Sequence, residues 1–262
     1  MNPALRIAAS GMAAQNHRVQ TIANNISNVG THGFKASEAR FQDLLYQEIQ
    51  APRAQSLPDM APSAALQAGR GVRLSATMKS FDQGPLDQTG RSLDLAIEGE
   101  GFLMAELPDG TRGYTRSGDL RIDAHSGALV TQEGHILTPQ IEIPVDAQGI
   151  GISPEGIVTA TYDDQFTEEI GQIELARFLN PEGLYALGGS MYLETDASGQ
   201  AIEGLPGDLG FGSVLQGALE GSNVDVVSEM VAIIEAMRGY EMSMRAATTA
   251  DQMSEQANGL VR

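Results

Sequence analysis

Cysteine and tryptophan are absent from this 262-residue chain, and aromatic residues make up only 5% of it. Without cysteine there is neither a disulfide nor a thiolate metal site, which suits an oxidising or extracytoplasmic setting. Long apolar runs are missing too, so no membrane-spanning helix is expected. The N-terminus makes a poor cleavable signal. Arg6 leads into Ile7 to Ala14, but Ser10 and Gly11 interrupt that run, and Gln15, Asn16, His17 and Arg18 follow it. Export by a route without a cleaved signal peptide is the expectation.

Basic residues are scarce, 16 against 34 acidic ones, and the net charge is −18. A chain so acidic is a poor partner for nucleic acid. The surplus is unevenly placed. Residues 1–35 hold Arg6, Arg18 and Lys35 and no acid, whereas residues 221–262 hold 6 acids and 3 bases. The two ends are therefore complementary in sign, and the middle carries the acidic excess.

Chemistry-bearing constellations are missing as well. His17, His32, His125 and His135 are scattered, and none has a partner at i+4, so the helical metal motif is absent. Asp163-Asp164 and Glu168-Glu169 are adjacent pairs, and neighbouring residues of a strand point to opposite faces. They read as a solvated hairpin end. Glu98-Gly99-Glu100-Gly101 lacks the spacing of a dinucleotide loop. No catalytic residue, metal or cofactor is expected.

What is present begins at the ends. Leu5, Ala8, Met12, Gln15, Val19, Ile22, Ile26 and Val29 follow at steps of three and four. Val226, Met230, Ile233, Met237, Tyr240, Met244 and Ala247 do the same near the other terminus. Such seams mark helices that pack along helices. About 25 residues of helix span roughly 37 Å. The termini are expected to pair with each other and with other copies. Gly30-Thr31-His32-Gly33 should end the first helix, and Ser222 or Asn223 should cap the last.

Between the ends the character changes. Glu38 to Ile49 is a short second amphipathic stretch, followed by a Pro-rich arm with Pro52, Pro58 and Pro62. Proline removes a backbone donor and favours extended geometry in its neighbour. From Val72 to Glu203 the pattern is β. Leu93–Glu98, Ile141–Val145 and Gly171–Leu175 alternate, and turn signals such as Pro108-Asp109-Gly110 and Pro154-Glu155-Gly156 recur. The fold class predicted is α+β: long terminal helices pairing as a coiled coil, with an inserted, mainly antiparallel β domain. Residues 1–35 and 222–262 are read as the helical core. Residues 36–71 and 204–221 are read as the connecting region, and 72–203 as the outer β domain.

The segment Ala23-Asn24-Asn25-Ile26-Ser27-Asn28-Val29-Gly30-Thr31-His32-Gly33-Phe34-Lys35 closely resembles the N-terminal signature of bacterial flagellar rod and hook proteins. Glu220-Gly221-Ser222-Asn223-Val224-Asp225, leading into Met230 to Tyr240, resembles that family's C-terminal helix. Asp94–Phe102 followed by Tyr114–Gly118 is a third match. Phe41-Gln42-Asp43-Leu44-Leu45-Tyr46-Gln47 resembles the segment that separates distal from proximal rod subunits.

The resemblance implies a structural subunit of the basal-body rod, in its distal part. Such a subunit polymerises into a hollow helical drive shaft that carries torque to the hook and serves as export channel. It implies as partners other copies of the chain, proximal rod subunits, hook protein, the ring proteins of peptidoglycan and outer membrane that form the bushing, and the flagellar type III export apparatus. The expected assembly interface is Leu5, Met12, Val19, Ile22, Asn24, Asn25, Ile26, Asn28, Val29, Val226, Met230, Ile233, Met237, Tyr240 and Met244. A proximal rod subunit and, in a different class, an oligomeric β-domain binding module stand as alternatives.

Overall fold

The computed structural model describes residues 3–50, 66–162 and 166–260. The fold is α+β, with one long helix near each terminus and many short antiparallel strands between. The chain forms two compact units. One comprises residues 1–26, 37–78 and 226–262; the other comprises residues 27–36 and 79–225.

In the first unit, helix α1 (Pro3–Ser27) and helix α2 (Val226–Leu260) are joined by four strands. Strand β1 (Ser37–Asp43) pairs with β4 (Val72–Lys79), and β2 (Gln47–Gln50) pairs antiparallel with β3 (Leu66–Ala68). The amphipathic stretch at Glu38–Ile49 is thus β. Ala39 and Phe41 are half-buried while Glu38, Arg40 and Gln42 are exposed, a period of two. The β2–β3 pairing brings together the two ends of the Pro-rich arm; Pro52, Pro58 and Pro62 lie outside the described residues.

In the second unit a nine-stranded sheet is built around Phe102–Glu106. That strand lies between Arg112–Thr115 and Ile136–Thr138 and also pairs with Leu175–Arg177. A three-stranded antiparallel sheet joins Gly149–Ile152, Ile157–Thr161 and Thr167–Gln172. One apolar cluster is aliphatic, centred on Leu95, Leu103, Leu129, Ile173 and Leu175. The other is largely aromatic: Phe102, Tyr114, Phe178 and Tyr192 meet edge to face with half-buried Phe81, the geometry that ring quadrupoles favour.

Three alternating runs turn out differently in detail. Leu95, Ala96 and Ile97 are all buried, because both faces of that strand are covered. Ile141 and Ile143 point inward on either side of exposed Glu142, but only a single bridge, Ala128↔Glu142, ties the run to a neighbour. Pro139 and Pro144 flank it and donate no hydrogen bond. Gly171–Leu175 spans the change from one strand to the next. The stretch 204–221 carries two further strands, Ser213–Gln216 against Leu95–Glu98 and Ala218–Glu220 against Leu86–Gln88.

Candidate assembly interface

The two helices run antiparallel within their unit. Gly11 faces Ser243, Gln15 faces Gly239, Arg18 lies 3.5 Å from Glu235, and Asn25 Nδ2 donates to Glu229 Oε1 at 2.7 Å. Steps forward along α1 are matched by steps of similar length backward along α2. A Cβ added at Gly11 would stand 3.1 Å from Ser243 Oγ, and one at Gly239 would stand 3.1 Å from Gln15 Cδ. The backbones approach closely because the residues between them are small.

On α1 the predicted seam is the buried one. Ala8 and Ile22 are buried, and Leu5, Met12, Gln15, Val19 and Ile26 are half-buried; Val29, beyond the helix end, is exposed. On α2 it is not. Val226 and Ile233 are half-buried, but Met230, Met237, Tyr240 and Met244 face solvent. Besides Glu229, the other buried or half-buried residues of α2 are Ala232, Ala236, Gly239, Ser243, Ala247, Ala250 and Ser254, of which Gly239 and Ser243 approach Gln15 and Gly11 of α1. Their spacing is also three and four. The signal was in the sequence, but in Ala, Gly and Ser, which carry little weight in a search for apolar side chains. The result is a second stripe. Val227, Met230, Val231, Ile234, Met237 and Met244 form an uncovered apolar flank on α2. Exposed apolar residues clustered in this way mark interaction sites.

The three asparagines part company. Asn25 is 1% exposed. It donates to Ser37 O at 2.9 Å and accepts from Ser37 N at 2.9 Å, so its amide pairs with β1 as a strand residue would. Asn24 is exposed and Asn28 half-buried. Asn24 lines a shallow polar cleft with His17, Gln20, Thr21, Ser37, Leu74 and Thr77.

In the second unit the segment 27–36 is docked by buried charge. Lys35 Nζ donates to Glu220 Oε1 at 2.6 Å and to Asp82 O at 2.7 Å. Glu220 also accepts from Gly84 N at 3.0 Å and from Arg116 at 3.4 Å. Burial holds the Lys35 ammonium below the ordinary lysine value, and Glu220 opposes that shift. Gly33 has φ +68, and an added Cβ would stand 2.6 Å from Ser117 N; only glycine fits there. Asn223 accepts from Ala36 N at 2.7 Å and donates to Ser80 O at 3.0 Å. It is therefore a clamp on residues 36 and 80 and not the cap of α2, which starts at Val226. Lys35 and Glu220 each stand in a quoted motif, but their pairing was not readable from sequence, since one buried charge pair separated by 185 residues leaves no periodic trace.

Among the described residues no group of three or more His, Cys, Asp or Glu side chains is placed to hold a metal. Glu168 and Glu169 lie exposed on a strand, and Asp163-Asp164 falls outside the described residues. No described helix is long and apolar enough to cross a membrane.

Three family models match in chain order. Residues 5–35 match the flagella basal body rod protein model, residues 96–160 the flagellar hook protein FlgE/F/G D1 domain, and residues 215–260 the flagellar basal body rod FlgEFG protein C-terminal region. The helical ends and the β region between them thus place the chain in the rod and hook class of the bacterial flagellum. The flagellar basal-body rod protein FlgG of Borreliella burgdorferi is 44% identical over 265 residues and covers 100% of both chains. That of Caulobacter vibrioides is 45% identical with 98% of each covered, and that of Bacillus subtilis 36% identical with 97% of each covered. The chain belongs to the flagellar basal-body rod protein family, whose members are structural proteins of the flagellum.

Proposed function

We propose that this chain is a distal rod subunit that polymerises into a hollow helical drive shaft, carries torque to the hook and encloses the channel for exported subunits. The observation that carries this reading is the uncovered apolar flank of α2. The helices satisfy each other through small residues and leave Met230, Ile234, Met237 and Met244 to solvent. Burying a methionine or isoleucine side chain contributes about 1.5–3 kcal/mol, so a ladder of such residues repeated in every copy is a large driving force for assembly. The helices of neighbouring copies would pair there as a coiled coil, with residues 1–35 and 222–262 as core and the acidic residues 72–203 outside. An open polymer needs a contact that does not close on itself, and two different helices offer one.

The wording Phe41–Gln47 supports the distal place in the rod over the proximal one. Its partners would then be itself, proximal rod subunits, hook protein, the ring bushing and the type III export apparatus. The test is Met237→Asp in the full-length chain. The side chain is exposed, so the folded monomer should keep its helix content and melting temperature, whereas a carboxylate held in a packed interface costs several kcal/mol. Sedimentation should show loss of polymer, and a motility assay should show non-motile cells. Normal polymer from this variant would remove α2 from the interface.

A further inference from the structure

Nine of the eleven methionines lie among the described residues. The five exposed ones are all on α2: Met230 at 53%, Met237 at 57%, Met242 at 72%, Met244 at 45% and Met253 at 59%. Those of the second unit are sealed, Met104 at 1% and Met191 at 2%. Met230, Met237 and Met244 recur at steps of seven, so they share one face of the helix, the apolar flank that also holds Ile234. An exposed thioether is open to oxidants, and its sulfoxide is polar where the thioether was apolar.

We propose that Met230, Met237 and Met244 form an oxidation-sensitive face, on which a peroxide converts the unassembled chain into a form that does not join the polymer. The inference rests on the reading of α2 as the assembly surface. In the reaction the peroxide O–O bond breaks and an S–O bond forms. Sulfur gives up two electrons, and the peroxide is reduced to water when it is hydrogen peroxide. Three sulfoxide dipoles then stand along a stripe that assembly would have to dry. The chemistry is reversible by thiol-dependent sulfoxide reductases. Assembly itself would protect the face, so the vulnerable state is the chain before it is incorporated.

The experiment uses the purified full-length chain and hydrogen peroxide. Peptide mass spectrometry should find oxidation at residues 230, 237 and 244 well before residues 104 and 191. The oxidised chain should need at least a tenfold higher concentration to yield sedimentable polymer, and reductase treatment should restore the original value. The combined Met230→Leu, Met237→Leu, Met244→Leu variant should polymerise alike with and without peroxide. Met237→Leu alone should recover part of the loss. Oxidised chain carrying all three sulfoxides that polymerises at the unoxidised concentration would overturn the proposal. A parallel peroxide footprint of preformed polymer separates the two ideas. Slow oxidation there leaves the assembly reading standing whatever sulfoxide does to it, and oxidation as fast as in the monomer removes both.

Discussion

At the residue scale a few buried polar groups hold each unit together. Glu220 joins three donors, Lys35, Gly84 and Arg116. Replacing it by Gln leaves the buried Lys35 and Arg116 cations facing each other without a carboxylate. Breaking a buried ion pair in this way costs about 3–5 kcal/mol. Lys35→Met leaves Glu220 still paired with Arg116 and Gly84, so it should cost less. Urea unfolding of the two variants should show that order, with loss of hydrogen-exchange protection across residues 27–36 greater in Glu220→Gln. The reverse order would mean that Lys35 does not depend on this carboxylate.

Tyr114 gives a second residue-scale expectation. Burial, reinforced by Glu194, pushes its phenol from 10.0 up to about 12. With a folded value above the unfolded one, the unfolded chain loses its proton first as pH rises. The contribution to stability is therefore full below pH 10 and lost as pH climbs toward about 12. Burial also raises Tyr192, which acts in the same direction. Tyr114→Phe should flatten, without abolishing, the fall of the urea midpoint over that window. An unchanged slope would assign the fall to other groups.

At the element scale the helices show what periodicity can and cannot reveal. Their existence was plain from repeats of three and four, and α1 buries or half-buries the residues so marked, except Val29 beyond its end. On α2 the same period carried two stripes, one large and one small. The small stripe won the contact with α1 because close backbone approach needs Ala, Gly and Ser, while the large one stayed outside. Apolar character alone could not assign which stripe faced which partner, since both satisfy the same geometry. The β2–β3 pairing and the docking of residues 27–36 were hidden for another reason: both depend on contacts between residues distant in sequence. Ala236, 0% exposed, distinguishes the stripes. Ala236→Leu should overpack the helix pair and destabilise it by about 1–3 kcal/mol, whereas Met237→Leu next to it should change monomer stability little. Thermal unfolding followed by helix ellipticity measures both, and equal effects would contradict the two-stripe assignment.

At the scale of the whole molecule, three family matches in chain order and full-length relatives agree with one architecture, helical ends around an inserted β region. The terminal signature Ala23–Lys35 announced the family from sequence. The structure adds how that signature works: Asn25 secures β1 within the first unit, and Gly33 and Lys35 bind into the second. In the proposed polymer, the acidic excess in the middle would keep the outer surface solvated and the opposite signs at the ends would let the helices attract. The central claim is that the exposed flank of α2 becomes buried when copies assemble. Because the chain has no cysteine, Met237→Cys supplies a single thiol at that flank. Its maleimide labelling rate, measured in the monomer and in isolated rods, is the most direct test. The expected result is labelling at least tenfold slower in the rod; equal rates would contradict the account.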